Sequence, residues 1–470
     1  MKRNIALSLA ALVALVGALF TSTLTVSSSS TDQAVQFPQV GSKTAIGKGV
    51  MFMPFATTFN VDRTDDTAAA TACTAALNDC SLRGAIIAAN ADAGATPIII
   101  NLQAATTYNL TLANATQENA ALTGDLDITT SLHSVTIAGG GSSTIIDAAG
   151  LTSGSSHDRA FQITGSGVTV IFQDLTIRNG RAADGGNSGA STNTSAQNSI
   201  RAGGGILNGA GIDVNGVAVN GGGSVTLNNV TIQSCQALGK GDSVVNDHTT
   251  LDAWGGGLAS IGATGNVIIT GSTLTGNTAL GGDGGNFNNG NASGARGGAI
   301  YFGGGTLNLD GSRIANSNAN GGEGGDGPGN QQNGGGGGGA QGGGAYVIGT
   351  GSINNTTFES CAATGGNAGT GQNGGNFGGE SGGGGLYSLG NVTVTNSTFD
   401  LNSATGGRGG DAFGPDCFGG HIALDGGAAR GGAILADGGS LIINTATLAN
   451  NSANGGNGGD GGKTNGGVCA

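Results

Sequence analysis

Gly297-Gly-Ala-Ile-Tyr-Phe-Gly-Gly-Gly-Thr-Leu-Asn-Leu-Asp-Gly-Ser-Arg-Ile-Ala-Asn-Ser317 decides the fold. Leu307 and Leu309 stand two residues apart, Ile314 follows five later, and Ser317 three after that. The same spacing occurs six times. Its second column reads Leu227, Ile269, Leu309, Ile353, Val394 and Ile443. The third reads Ile232, Leu274, Ile314, Phe358, Phe399 and Leu448, and the fourth Cys235, Asn277, Ser317, Cys361, Asn402 and Asn451. Self-similarity at a period of roughly 40–50 residues signals a repeat architecture. A spacing of two is the inward alternation of a strand, and the odd spacing of five crosses a corner. With the GG-x-aliphatic start (Gly297–Ile300, Gly431–Ile434) this predicts three short strands and two corners per coil. The expected fold is all-β: a single right-handed parallel β-helix with Gly-rich loops at one corner. Each buried aliphatic contributes about 1.5–3 kcal/mol, so stacking them in register stabilises every added coil. The polar fourth column is expected to face inward at a bend and bond the backbone above and below.

Outward from this skeleton lie the inserts Gly281–Gly298, Gly321–Gly344, Gly365–Gly385, Gly406–Gly432 and Gly455–Val468. Doubling a loop costs only about 0.6 kcal/mol, so long inserts are tolerated on one edge of a stack. Their GG-x rhythm suits extended polyglycine strands packed side by side, and equally suits flexible loops. Residues 203–470 make up the six regular repeats, and 96–202 read as irregular coils of short β-branched strands. Residues 59–95 read as an N-terminal cap. There Leu82, Ala85, Ile86 and Ala89 share one helical face, with Asp79 or Ser81 as N-cap. Such a short capping helix covers the open strand edges of a solenoid. Residues 26–58 form a linker. In residues 1–25, Lys2 and Arg3 precede an apolar run from Ile5 to Phe20, the pattern of a secretory signal peptide. The chain is therefore expected to be secreted or at the cell surface, with no membrane span once the signal is removed.

Composition agrees. Of 99 glycines only 7 lie in the first 130 residues, so the composition switches once, near residue 137, and stays switched. Aromatic residues are 4% and charged residues 10%, too few large side chains for a broad globular core but enough for a narrow column. The net charge of −13 excludes nucleic acid as the main partner. Six cysteines suit an oxidising compartment. Cys73 and Cys80 are close enough in sequence to bridge. Cys417 and Cys469 lie in the glycine stretches of consecutive copies and are expected to pair by stacking. Cys235 and Cys361 share a column three copies apart, about 14 Å at strand spacing, and are expected to be buried free thiols.

Two family resemblances rest on these residues. Cys80-Ser-Leu-Arg-Gly-Ala-Ile86 with Ala88-Ala-Asn90, then Gly124–Ile128, Thr144–Asp147 and Asp158–Phe161, resembles the CSLREA motif set of secreted bacterial β-helix proteins. Gly84 replaces the usual Glu, which removes a capping box and puts a poor helix former in the first turn. The GGA-aliphatic segments and Phe399-Asp-Leu-Asn402 resemble the repeats of chlamydial polymorphic outer-membrane proteins, although Phe358-Glu-Ser-Cys361 departs from the F-x-x-N pattern. That resemblance implies a surface-exposed right-handed β-helix with an adhesive role.

Chemistry is sparser. Gly406–Gly414 fits the calcium nonapeptide G-G-x-G-x-D-x-U-x, and Gly321–Gly329 and Gly455–Lys463 fit it up to the Asp. This makes Asp326, Asp411 and Asp460 candidate calcium ligands. The units are single and 40 or more residues apart, and coincidence in a chain rich in Gly and Asp explains them as well. A β-helix polysaccharide lyase needs acidic metal ligands beside a basic residue, and Asp125, Asp127, Asp147, Asp158 and Arg159 are the candidates. Solvated or corner positions are the competing reading of those aspartates. The histidines (133, 157, 248 and 421) lack metal spacing and read as surface or corner residues. The leading expectation is a non-catalytic adhesive or structural module whose partner is a cell-surface or extracellular polymer, carbohydrate or protein. No catalytic residue and no cofactor beyond calcium is assigned. The alternatives are a pectate-lyase-like enzyme on acidic polysaccharide, and a filament built by head-to-tail association.

Overall fold

The computed structural model describes residues 56–113, 118–153, 156–183, 200–212, 218–241, 250–262, 265–287, 289–328, 332–413 and 422–461. Nearly every element is a short strand, and nearly every pairing is parallel. Pairing runs from Thr57–Asn60 through Ile98–Asn101, Ser134–Ala138, Thr169–Arg178 and Ser224–Gln233, then through each repeat to Leu441–Asn444. The chain thus returns alongside itself, in register, at each successive level. The irregular coils share these sheets with the regular ones.

From the second regular coil onward each holds five strands rather than the three expected. In one of them these are Ala295–Arg296, Ile300–Phe302, Thr306–Asp310, Arg313–Ala315 and Asn318–Asn320. The middle three surround the main core, where Ile300, Phe302, Leu307, Leu309 and Ile314 are fully buried. The first and last face each other outside it, as a narrow two-layer stem. Ala253, Ala295 and Ala340 on one side meet Ala237, Ala279, Ala319 and Ala363 on the other. Alanine columns lack the bulk that marks a strand in a sequence.

The GG doublet makes the stem possible. Gly297 adopts φ +65, which glycine supplies without steric cost. A Cβ on the next residue, Gly298, would lie 2.4 Å from the Asn318 backbone. The odd spacing of five has an equally local cause. Asn229, Gly271, Gly311, Asn355 and Asn396 all adopt positive φ at one corner. Gly276, Asn316, Ser360, Leu401 and Asn450 do so at the next. One left-handed residue turns the strand and resets which side chains point inward.

Helix α1 (Leu82–Ala91) closes the first end, against the strands Ile98–Asn101 and Leu126–Ile128. Ser81 is its N-cap, and its Oγ accepts from the Gly84 amide at 2.9 Å. Gly84 is required by contact: a Cβ there would lie 1.9 Å from the Ala70 carbonyl oxygen. Cys73 and Cys80 form a disulfide beside this cap. In the last described coil the core columns end in Ile443 and Leu448, which are 42% and 49% exposed.

Candidate functional site

The polar column runs down the inside of the second corner. Asn277 Oδ1 accepts from the Cys235 amide at 3.0 Å, and its Nδ2 donates to the Ile232 carbonyl at 3.0 Å. Ser317 Oγ accepts from the Asn277 amide, Asn402 Oδ1 from Cys361, and Asn451 Oδ1 from Asn402. Each side chain thus satisfies the backbone of the level before it. Cys235 and Cys361 are buried free thiols, and burial pushes both up to about 12. A second such column lies at the first corner, at Ser272, Ser312, Thr356 and Ser397. Ser272 Oγ accepts from Val230, Ser312 Oγ from Ser272, and Ser397 Oγ from Thr356. Its sequence mark is a hydroxyl residue directly after the Gly or Asn of that corner. Both columns are structural struts, sealed from solvent except at Asn451 in the last described coil.

The lyase candidates also lie inside. Asp125, Asp127, Asp158 and Arg159 are all buried, which corrects the reading of these aspartates as solvated. Arg159 Nη1 donates to Asp125 Oδ2 at 3.1 Å and stands 3.7 Å from Asp158 Oδ1. Asp158 in turn accepts from the Asp125 amide. Nearby, Arg83 joins Asp66 to the carbonyls of Ala121, Gly124 and Asp125. Burial, reinforced by Asp125, Glu118 and Asp158, holds the Asp127 carboxyl well above the usual range. Asp147 is engaged separately by Arg178 and Asn179. A polysaccharide has no access to groups packed in this way. His133 is buried too, its ring nitrogens 2.8 and 3.1 Å from the Gly94 and Ala89 carbonyl oxygens, so it is not a surface residue. His248, His421, Cys417 and Cys469 lie outside the described residues.

The glycine inserts form ordered rows with a three-residue hydrogen-bond rhythm, the repeat of an extended three-residue-per-turn chain. One residue in three bonds the outgoing row of the next level, as in Gly321 N–H to Thr364 O, Gly324 to Asn367 and Gly327 to Thr370. The next bonds a returning row, as in Gly366 to Gly338 O and Gly369 to Gly335 O. The third faces outward and carries the side chains. Asp283, Glu323, Asn367 and Arg408 make one outer column, Asn286, Asp326, Thr370, Asp411 and Asp460 another. Each is tied to the next level: Asp283 accepts from the Glu323 amide, Glu323 from Asn367, Asn367 from Arg408 and Asp326 from Thr370. The two columns stand about 9 Å apart along each row.

The three calcium candidates therefore share a column, with Thr370 between Asp326 and Asp411. Arg408 chelates Asp411 at 2.6 and 3.0 Å and reaches Asp460 at 3.3 Å. Its guanidinium holds the Asp411 carboxyl below the usual range. Among the described residues, no three acidic, His or Cys side chains converge on one point.

A third feature was not foreseen. Three of the four tyrosines and the one tryptophan gather in the crook between stem and body, outside the core. Trp254, Tyr301, Tyr346 and Tyr387 stack in series with ring centroids 4.3, 5.4 and 5.1 Å apart. Arg296 lies over the Trp254 and Tyr346 rings and pairs with Asp252 at 3.3 Å. The signal was a Tyr four residues after the first Gly of the doublet, at Gly297, Gly342 and Gly383.

No protein-family model matches this sequence, and no curated protein matches it.

Proposed function

We propose that the chain is one right-handed parallel β-helix that works outside the cell as a non-catalytic adhesive module, related to the CSLREA-type secreted proteins. The observation that supports this best is the ordered slab of glycine rows. It holds polar side chains outward at fixed spacing, every carrier residue braced by its neighbours, with little conformational entropy left to lose on contact. Its outer columns carry Asp283, Glu323, Asp326, Asp411 and Asp460 against Arg408, so like-charge repulsion disfavours acidic polymers and favours uncharged or basic ones. The same repulsion, with the burial of Asp125, Asp127, Asp158 and Arg159, weighs against a pectate-lyase-like activity. Helix α1 over the first end weighs against head-to-tail filaments.

The test is adhesion of the purified chain to immobilised neutral, basic and uronate polymers, beside a Glu323→Lys/Asp326→Lys variant. Retention on neutral or basic surfaces that the variant alters is expected. Release of unsaturated products from uronate polymers, or adhesion indifferent to the slab substitutions, would overturn the reading.

A further inference from the structure

The stacked rings have two chemically different ends. Trp254, Tyr301, Tyr346 and Tyr387 are all buried, and successive rings are close to parallel, at 21°, 7° and 15°. Their centroid spacings put each π system in contact with the next. Tyr301, Tyr346 and Tyr387 are register partners on three successive levels, and Leu435 takes their place on the level after. The column of rings therefore ends at Tyr387.

At the first end a proton has nowhere to go. Trp254 Nε1 is buried with no acceptor among the described residues. The Arg296 guanidinium lies 5.2 Å from the Trp254 ring centre and repels positive charge there, an effect that Asp252 offsets in part at 3.3 Å from Arg296. At the other end Tyr387 O–H donates to Asp437 Oδ2 at 2.5 Å, and Asp437 is exposed. Among the described residues neither Tyr301 nor Tyr346 has a side-chain acceptor for its O–H. Burial holds all three phenols above their ordinary value, so each is a neutral O–H group in the folded chain. A neutral phenol gives up an electron readily only where its proton can leave with it. Tyr387 meets that condition.

We infer that the ring stack is a one-electron relay that carries an oxidising equivalent from Trp254 to Tyr387. A one-electron oxidant, a small inorganic or peroxyl radical, takes an electron from the Trp254 indole and is reduced to its anion. An electron then passes from Tyr387 through Tyr346 and Tyr301 to the indole cation radical. The Tyr387 O–H bond breaks in that step, and its proton goes to Asp437 Oδ2. The indole is neutral again, Tyr387 is a neutral phenoxyl radical, and Asp437 is a carboxylic acid open to water. The relay does not depend on the adhesive reading or on the glycine slab.

Pulse radiolysis of the full chain with the azide radical, which oxidises indole in preference to phenol, tests the relay. Trp254 is the one tryptophan, and Tyr108, in the main core, is the one tyrosine outside the stack. Indolyl absorption should give way to phenoxyl absorption at a rate independent of protein concentration. Tyr387→Phe should remove most of the phenoxyl signal, and Tyr108→Phe should leave it intact. Asp437→Asn should slow the transfer about tenfold, the rate equivalent of one hydrogen bond to a charged group. Tyr346→Leu interrupts the rings and should slow it by about tenfold or more. Thermal melts show which variants are folded, and Tyr387→Phe, which keeps the ring, decides the matter if Tyr346→Leu is not. No phenoxyl signal, a rate that grows with protein concentration, a yield undiminished in Tyr387→Phe, or a rate unchanged in Asp437→Asn overturns the inference.

Discussion

Gly366→Ala separates an ordered slab from a set of flexible loops. Gly366 sits where three rows meet: its N–H donates to Gly338 O at 2.9 Å, and its carbonyl accepts from Gly379 at 2.8 Å. A Cβ there would lie 1.8 Å from the Gly322 carbonyl oxygen, a backbone atom held by its own bonds. The rows must part. Two backbone hydrogen bonds at about 1 kcal/mol each, plus overpacking of about 1–3 kcal/mol, put the cost near 3–5 kcal/mol. The glycine rows can open without the core, so the loss falls first on them. Gly339→Ala is the matched control, since its nearest neighbour is the Glu380 carbonyl oxygen at 3.5 Å, an ordinary contact. It should be neutral or stabilising by up to about 1 kcal/mol through the unfolded chain. Hydrogen exchange of residues 321–327 and 365–371, with a thermal melt, reads both variants. Fast exchange in Gly366→Ala alone is expected. Two variants that behave alike, both silent or both stabilised, would refute the packing argument.

Three further outcomes follow from named contacts. Asn402→Ala orphans the Cys361 amide and the Phe358 carbonyl and should cost about 2–4 kcal/mol in denaturant melts, whereas Asn402→Ser should cost less because Ser317 already fills that column. Asp127 has a raised folded pKa, so its burial is tolerated below the unfolded carboxyl pKa and becomes a penalty as pH rises through the folded value. Asp127→Asn should therefore raise the melting temperature at pH 7 to 8 and change it little near pH 4; an equal shift at both would contradict this. Cys235 and Cys361 should resist alkylation at pH 8 until the chain unfolds, as mass spectrometry at those two residues would show.

The legible part of the fold was the part made by large side chains. Leu307, Leu309 and Ile314 point inward at strand spacing, and that pattern survives in the sequence because only bulk fills the core. The stem escaped because Ala295 and Ala319 pack by being small, and small residues also populate loops. The slab was legible only as an alternative: period-three glycine permits close rows, but backbone-to-backbone bonding leaves no side-chain signature. Asp125 was misplaced for a related reason. An alternating Asp reads as solvated unless its partner is known, and the partner came from a residue more than 30 positions away. The tyrosine column was visible after three consecutive GG doublets, yet its meaning depended on the stem beside those residues.

Parallel return of the chain, in register one level on, underlies slab and crook alike. Paired cysteines test it directly, since disulfides tolerate Cα separations of only about 4.4–6.8 Å. Ile268 and Asn308 are exposed register partners 40 residues apart. Ile268→Cys/Asn308→Cys should oxidise to a disulfide in the folded chain, and Ile268→Cys/Asp310→Cys, two residues out of register, should not. Equal yields from the two pairs, or a bridge only in the second, would contradict the coil assignment.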